Sequence, residues 1–468
     1  MGLDKKPYIS AKNMRGRVLL VLKFLVLVVA LAIFVILRES FPIISGYGAK
    51  VLCSGVFVAG RTPEQVIKND LSGFPLNLGT YAVDQVDSSV TGTVWGMGAK
   101  KAIYRYGLGA TLISGVTEEQ VREQRMDRAA LPLVNQDTAD WPNGDRLGVR
   151  ADSDLHGMRV SPSGTDPVAL GVAVGSAFGE GGAKSTGTRA VIVLHRGRVV
   201  AERYATGFDR HTRLTGWSMT KGITSALVGI LVGQGRLNLA QPAPVDRWQG
   251  DDRGRITVED LLHMNSGLKW WEFYGGPSDA TRMLFKEADM GEYATRSRLA
   301  HQPGTVFNYS SGTANILSAI VRQTVGDSGY YRFPYERLFY RIGMYSAVLE
   351  PDAGGTFVGS SYCYATARDW ARFGLLYLRD GVWGGQRVLP QGWVDFTRSG
   401  DRYGAMWWLN RAGRYPDVPV DCFACEGYEG QYIWVIPSKD LVIVRLARET
   451  GRRLDPDRFV QGVVAAMR

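Results

Sequence analysis

The sequence predicts an α+β domain preceded by one transmembrane helix, and three observations predict it. Residues 18–37, VLLVLKFLVLVVALAIFVIL, form an apolar run whose only charge is Lys23, long enough to cross a bilayer as a helix. Residues 189–200 read as two strands joined by a tight turn, and residues 431–436 and 441–446 read as a hairpin turned at Pro437-Ser438-Lys439-Asp440. A long helical stretch separates these hairpins, so sequence-distant strands must meet in one antiparallel sheet flanked by helices.

Taken in order, residues 1–17 form a basic tail, in which Lys5, Lys6, Lys12, Arg15 and Arg17 face only Asp4. A positive flank keeps the N-terminus in the cytoplasm and exports the chain beyond the helix, which predicts a single-pass protein of the inner membrane with its main domain on the periplasmic or extracytoplasmic side. The apolar core exceeds that of a signal peptide and no small-residue cleavage site comes after it, so the expectation is an uncleaved anchor at 18–37. Residues 46–150 read as an accessory region, with β-leaning runs at 51–59 and 102–114 and a helical patch at 118–128. Residues 137–164 are polar and carry Pro142, Asn143 and Gly144, the signature of a linker or surface excursion. The main domain is expected over 165–468.

Within that domain a helix is predicted from Val168. Ile223, Leu227, Ile230 and Leu231 give residues 219–231 a helical period that stops at Gly233 and Gly235. Further helices are predicted over 314–325 and 367–378, and a strand over 403–409.

The net charge of +10 is weighted toward the tail, and no basic block with interleaved aromatics is present, which argues against nucleic-acid binding. Five histidines show no metal-ligand spacing, and Cys422 and Cys425 have no second pair to complete a zinc site. No metal or cofactor is implied. Cys53, Cys363, Cys422 and Cys425 are expected as free thiols or structural bridges. Gly326-Asp327-Ser328-Gly329 imitates a serine-protease signature but comes after a helix, and that mechanism needs a histidine and a buried aspartate. Residues 179–185 end like a phosphate loop yet lack two required glycines.

The chemistry resides in Ser218-Met219-Thr220-Lys221 and Tyr309-Ser310-Ser311. A serine hydroxyl needs a proton acceptor within hydrogen-bond reach to act as a nucleophile at neutral pH. Ser218 and Lys221, three apart at a helix start, share one face, and free N–H groups there point at any developing anion.

These residues carry a resemblance. Gly216-Trp217-Ser218-Met219-Thr220-Lys221 with Leu227-Val228-Gly229-Ile230-Leu231, the segment Ile256-Thr257-Val258-Glu259-Asp260-Leu261-Leu262-His263-Met264-Asn265-Ser266-Gly267-Leu268, and Pro303-Gly304-Thr305-Val306-Phe307-Asn308-Tyr309-Ser310-Ser311-Gly312 occur in the order found in the serine β-lactamase and penicillin-binding-protein family. The chain resembles in particular its class C-like branch of esterases and amide hydrolases, over residues 168–466. The resemblance implies a β-lactamase/transpeptidase-like sheet flanked by helices with a helical subdomain. It makes Ser218 the acyl-accepting nucleophile, Lys221 its proton partner and Tyr309 the general base, with Ser311 bonding in this network or to substrate.

The family's third motif, a basic residue, then a small residue and glycine, corresponds here to Gly427-Tyr428-Glu429-Gly430-Gln431, where only the glycine matches. Gly430 would let the strand approach substrate, and the N–H groups of Gln431 and Ser218 would form the oxyanion hole. Tyr428 is neutral and Glu429 negative where β-lactams and D-alanyl peptides need a cation. A carboxylate facing a carboxylate costs binding, so neutral esters or amides are the expected small-molecule substrates unless Arg402 or Arg445 supplies the cation; a solvated Glu429 is the plainer alternative. Trp217, Trp270-Trp271 and Trp407-Trp408 are candidate cleft linings. A D,D-peptidase or β-lactamase, and a catalytically silent ligand-binding protein of the same fold, are the competing readings.

Overall fold

The computed structural model describes residues 11–127, 134–147, 153–155, 158–160, 164–180, 186–449, 451 and 453–468. The basic tail up to residue 10, part of the polar 137–164 stretch and the end of the phosphate-loop imitation lie outside them. Helix α1 (Ala11–Phe57) contains the apolar run and continues past Pro42 into the body of the protein. Its apolar stretch stands free of the packed body, whereas Phe41, Ile44, Ala49 and Leu52 are buried. The β-leaning run at 51–59 is therefore helical as far as Phe57. Tertiary packing overrides the strand preference of its Val and Phe residues.

Packed against it is an antiparallel sheet of β1 (Gly79–Asp84), β2 (Ser89–Val94), β3 (Met97–Arg105) and β4 (Gly109–Leu112), ordered β1-β2-β3-β4. Phe41 and Ile44 of α1 cluster with Val94. Lys50 forms a buried ion pair with Glu350 of the main domain, and Ser54 donates to the same carboxylate at 2.9 Å. The accessory region thus docks on the main domain through the far end of α1 and through Ala110, Thr111 and Ser114, which bond Glu350, Pro351 and Lys286, with Asp70 adding an ion pair to Arg189.

The main domain is built on an eight-stranded antiparallel sheet. In chain order its strands are β5 (Ser153–Leu155), β6 (Met158–Val160), β7 (Thr188–His195), β8 (Arg198–Tyr204), β9 (Trp408–Leu409), β10 (Phe423–Gly427), β11 (Gln431–Ile436) and β12 (Leu441–Ala447); in space they run β9-β10-β11-β12-β7-β8-β6-β5. The opening and closing hairpins meet where β12 pairs with β7, Val444 opposite Ile192. Residues alternate cleanly between faces. Ala190, Ile192, Leu194, Val442 and Val444 join the large core, while Val191, Val193, Trp434 and Ile443 join a second one. Helix α2 (Pro167–Ala177) and the C-terminal helix (Pro456–Ala465) cover the second face.

On the other face lie α3 (Thr220–Gly233), α4 (Ser311–Val325) and α5 (Ala367–Leu378). The strand predicted over 403–409 shrinks to Trp408–Leu409, because Met406 has φ +67° and breaks the extended run. All four cysteines are buried free thiols.

Candidate active site

Two close approaches set the geometry. α3 lies directly against β10, since a Cβ on Gly222 would sit 2.5 Å from Cys425 Sγ. The end of β10 reaches the turn before the helix, since a Cβ on Gly427 would sit 2.2 Å from the Gly216 carbonyl. Ser218 occupies a single 3-10 turn, Trp217–Met219, that leads into α3, and Trp217 takes up the turn's strain at φ +45°.

Lys221 is 1% exposed. Its Nζ donates to Ser218 Oγ at 2.9 Å, to Ser311 Oγ at 3.0 Å and to the Ser360 carbonyl at 3.1 Å. It also sits 4.8 Å from the centre of the Tyr309 ring. The structure thus brings together Ser218, Lys221, Tyr309 and Ser311. Ser311 is fully buried at the start of α4 and belongs to the network.

Three further participants, Glu272, Tyr274 and Asn315, carried no periodic or motif signal. Glu272 accepts from Ser311 Oγ at 2.5 Å, from Ser311 N at 2.9 Å, from Tyr274 OH at 2.6 Å and from Trp270 Nε1 at 2.6 Å. Tyr274 OH also stands 3.2 Å from Ser311 Oγ. Asn315 accepts from Ser360 N at 3.1 Å, which fixes the carbonyl that receives Lys221. Trp408 stacks on Tyr309 at 5.4 Å. The visible sign of Glu272 is an acid set within the aromatic run Trp270-Trp271-Glu272-Phe273-Tyr274.

Burial without a directly bonded carboxylate pulls the Lys221 ammonium down to about 8, with the charge of Glu272 opposing the fall. Burial pushes the Tyr309 phenol well above its ordinary value and Glu272 adds to this, while hydrogen bonding to Ser218 opposes it. At neutral pH Tyr309 keeps its proton, and Lys221 is mainly protonated with a neutral fraction that grows toward pH 8.

The remaining expected residues fall differently. Trp407 is fully buried against Phe373, Tyr377 and Phe423, so it is core and its neighbour Trp408 faces the site. Trp217 is wedged between Tyr47 and Tyr428. Glu429 neither meets substrate as a bare charge nor points into water, because its buried carboxylate pairs with Arg448 at 2.5 Å. Burial nevertheless pushes that carboxyl up to about 7, with Arg448 pulling the other way. Gly430 is held from behind, its carbonyl accepting from Arg445 Nη1 at 3.1 Å. Arg445 is fully buried and paired with Glu449, so it offers no cation to a substrate. The Gln431 side chain bonds both backbone groups of Ala447 across the sheet, at 2.6 and 3.0 Å. That fixes the start of β11.

A family model described as beta-lactamase matches residues 174–466. The chain belongs to the β-lactamase family. Over 300 residues it is 29% identical to the 6-aminohexanoate-dimer hydrolase of Paenarthrobacter ureafaciens, a span that covers 56% of this chain and 73% of that protein. Among solved structures, a family VIII carboxylesterase superposes with a TM-score of 0.51 at 16% identity, covering 66% of this chain and 98% of the other. A hydrolase with promiscuous acyltransferase activity gives a TM-score of 0.50 at 16% identity, covering 64% and 97%. These two superpositions show the β-lactamase/transpeptidase-like fold. As a member of the β-lactamase family the chain is a serine hydrolase.

Proposed function

We propose that the chain is a membrane-anchored hydrolase that cleaves a neutral ester or amide through an acyl-enzyme on Ser218. The observation that carries this reading is Lys221 Nζ, buried 2.9 Å from Ser218 Oγ with hydroxyls and a carbonyl as its hydrogen-bond partners. Neutral Lys221 takes the Ser218 proton as Oγ attacks the substrate carbonyl. The developing oxyanion is held by the Ser218 N–H and an N–H of the 427–431 turn, for which the sequence nominates Gln431. The resemblance makes Tyr309 the base. Its raised pKa favours a refinement, in which the neutral phenol relays the proton to the departing alcohol or amine and later steers the water that releases the acyl group.

Of the two arginines the sequence nominates, Arg445 is engaged in an ion pair, as is Arg448 beside Glu429; this counts against substrates held by a carboxylate, β-lactams and D,D-peptides among them, and leaves exposed Arg402 as the nominated cation still to be tested. The amide-hydrolase name of the Paenarthrobacter relative supports keeping amides in the substrate class. The exposed apolar half of α1 and the basic tail support an anchor with the catalytic domain on the far side of the membrane.

Intact-mass spectrometry of the full chain after exposure to a fluorophosphonate and to activated ester, amide and β-lactam panels tests the reading. One adduct lost in Ser218→Ala is expected. A folded protein that binds ligands but acquires no adduct from any of them would overturn it in favour of a silent binding protein.

A further inference from the structure

Beside the Ser218 centre lies a cavity of about 580 Å³, within the ~300–1,000 Å³ range of small-molecule pockets. One wall is a single face of α1, formed by Leu37, Phe41, Ile44 and Tyr47, which recur at helical spacing. This face begins where the exposed apolar run of the anchor ends. The opposite wall comes from the main domain through Pro277, Thr281 and Phe285.

The rim is apolar and open. Phe74 is 82% exposed and Trp95 63%, and Trp95 meets Phe41 edge-on at 5.4 Å. Exposed aromatic side chains at the emergence point of an apolar helix fit the level of lipid headgroups. The inner end is closed by Tyr274 and Tyr428, whose rings lie 5.1 Å apart. Tyr274 OH is 3.2 Å from Ser311 Oγ, itself bonded to Lys221, and Tyr428 packs edge-on against Trp217, the neighbour of Ser218. The cavity therefore runs from the end of the exposed apolar run to the Tyr274–Tyr428 pair, whose contacts with Ser311 and Trp217 connect it to the surroundings of Ser218.

We propose that this cavity takes the long acyl chain of a membrane lipid, so that the substrate is a lipid ester or amide entering sideways from the bilayer with its carbonyl at Ser218. This deepens the reading of the chain as a Ser218 hydrolase and rests on it. Ser218 Oγ bonds to the acyl carbon as the carbonyl's bond to the alcohol or amine breaks, and the serine proton leaves on that group. Water then cleaves the acyl-enzyme, its oxygen going to a free fatty acid and a proton returning to Ser218. The occupant is a hydrocarbon chain because walls and rim are mainly apolar and continuous with a lipid-facing helix, while the buried Glu429–Arg448 pair at the inner end is already satisfied.

The test uses the full chain in vesicles of ether-linked phosphatidylcholine, which carries no acyl ester, with 4-methylumbelliferyl butanoate, octanoate and hexadecanoate. Referred to the free aqueous concentration of each ester, every added methylene that enters the cavity should raise kcat/KM about fourfold until the cavity fills, and hexadecanoate should exceed butanoate by at least about 100-fold. Ile44→Trp, which fills the cavity, should cut the hexadecanoate-to-butanoate ratio at least about tenfold. Phe74→Asp, an exposed rim position that places no demand on folding, should cut the ratio several-fold. Turnover of butanoate with no preference for longer chains, or a ratio unmoved in both variants, would overturn the cavity assignment and leave Ser218 chemistry standing. Failure of every ester to acylate Ser218 would overturn both.

Discussion

Two lysines are buried to the same degree in this molecule, and they do opposite things. Lys50 is 2% exposed and Lys221 is 1%. Lys50 is bonded to Glu350 and Ser54 and lies 4.0 Å over the Tyr362 ring, so its charge is matched on the spot. Lys221 meets two hydroxyls and a carbonyl, and its acid, Glu272, is reached only through Ser311. A buried ammonium with a carboxylate in contact is a clamp, whereas one held a hydroxyl away from its carboxylate gives up its proton more easily. The interposed Ser311 separates the two roles.

The comparison can be broken in several ways. The largest effect belongs to the lysine beside Ser218: if Lys221 serves as the proposed proton acceptor, Lys221→Met should lower kcat/KM by about 10³-fold or more, with the urea midpoint little changed. A variant retaining a tenth of the activity would remove Lys221 from the proton path. At the clamp, Lys50→Met or Glu350→Gln strands the other partner and should cost about 3–5 kcal/mol of stability in urea denaturation. The double variant should recover most of that loss. Turnover per folded molecule should hardly move, and a selective loss of turnover would mean that the clamp is not purely structural.

A subtler effect concerns pH. With Lys221 active in its neutral form and its ammonium at about 8, kcat/KM should rise through an inflection near pH 8. Because the Glu272 charge raises the lysine, Glu272→Gln should shift that inflection downward; an upward or absent shift would unseat the charge coupling. The smallest effect expected is at Trp408→Leu, where losing the stack on Tyr309 should cost about 0.5–1.5 kcal/mol in kcat/KM, read with a saturable ester.

Legibility in the sequence depends on the kind of residue. Ser218, Lys221, Tyr309 and Ser311 stand at helix starts inside short motifs, and the structure brings them together. The two hairpins that meet at β7 and β12 are visible through alternation and turn residues. Glu272 and Tyr274 lie on an irregular segment with no period to mark them, and Arg448 matters only because the chain folds it back onto Glu429. The distinction between Trp407 and Trp408 depends on which side of a short strand faces in, a one-residue question that pattern alone does not decide. Residues 51–57 read as a strand and fold as a helix for a related reason, since Glu350, the partner that holds this end of α1 at Lys50, is three hundred residues away.

The uninterrupted course of α1 has a mechanical consequence. Ten residues of helix separate Leu37, the last of the apolar run, from Tyr47, which stacks on Trp217 beside Ser218. At 1.5 Å per residue that is a standoff of about 15 Å, imposed by a helix in place of a slack tether. On the anchored reading the active site cannot wander through the compartment beyond the membrane; its working height is built in, and only molecules that come to that plane are within its reach.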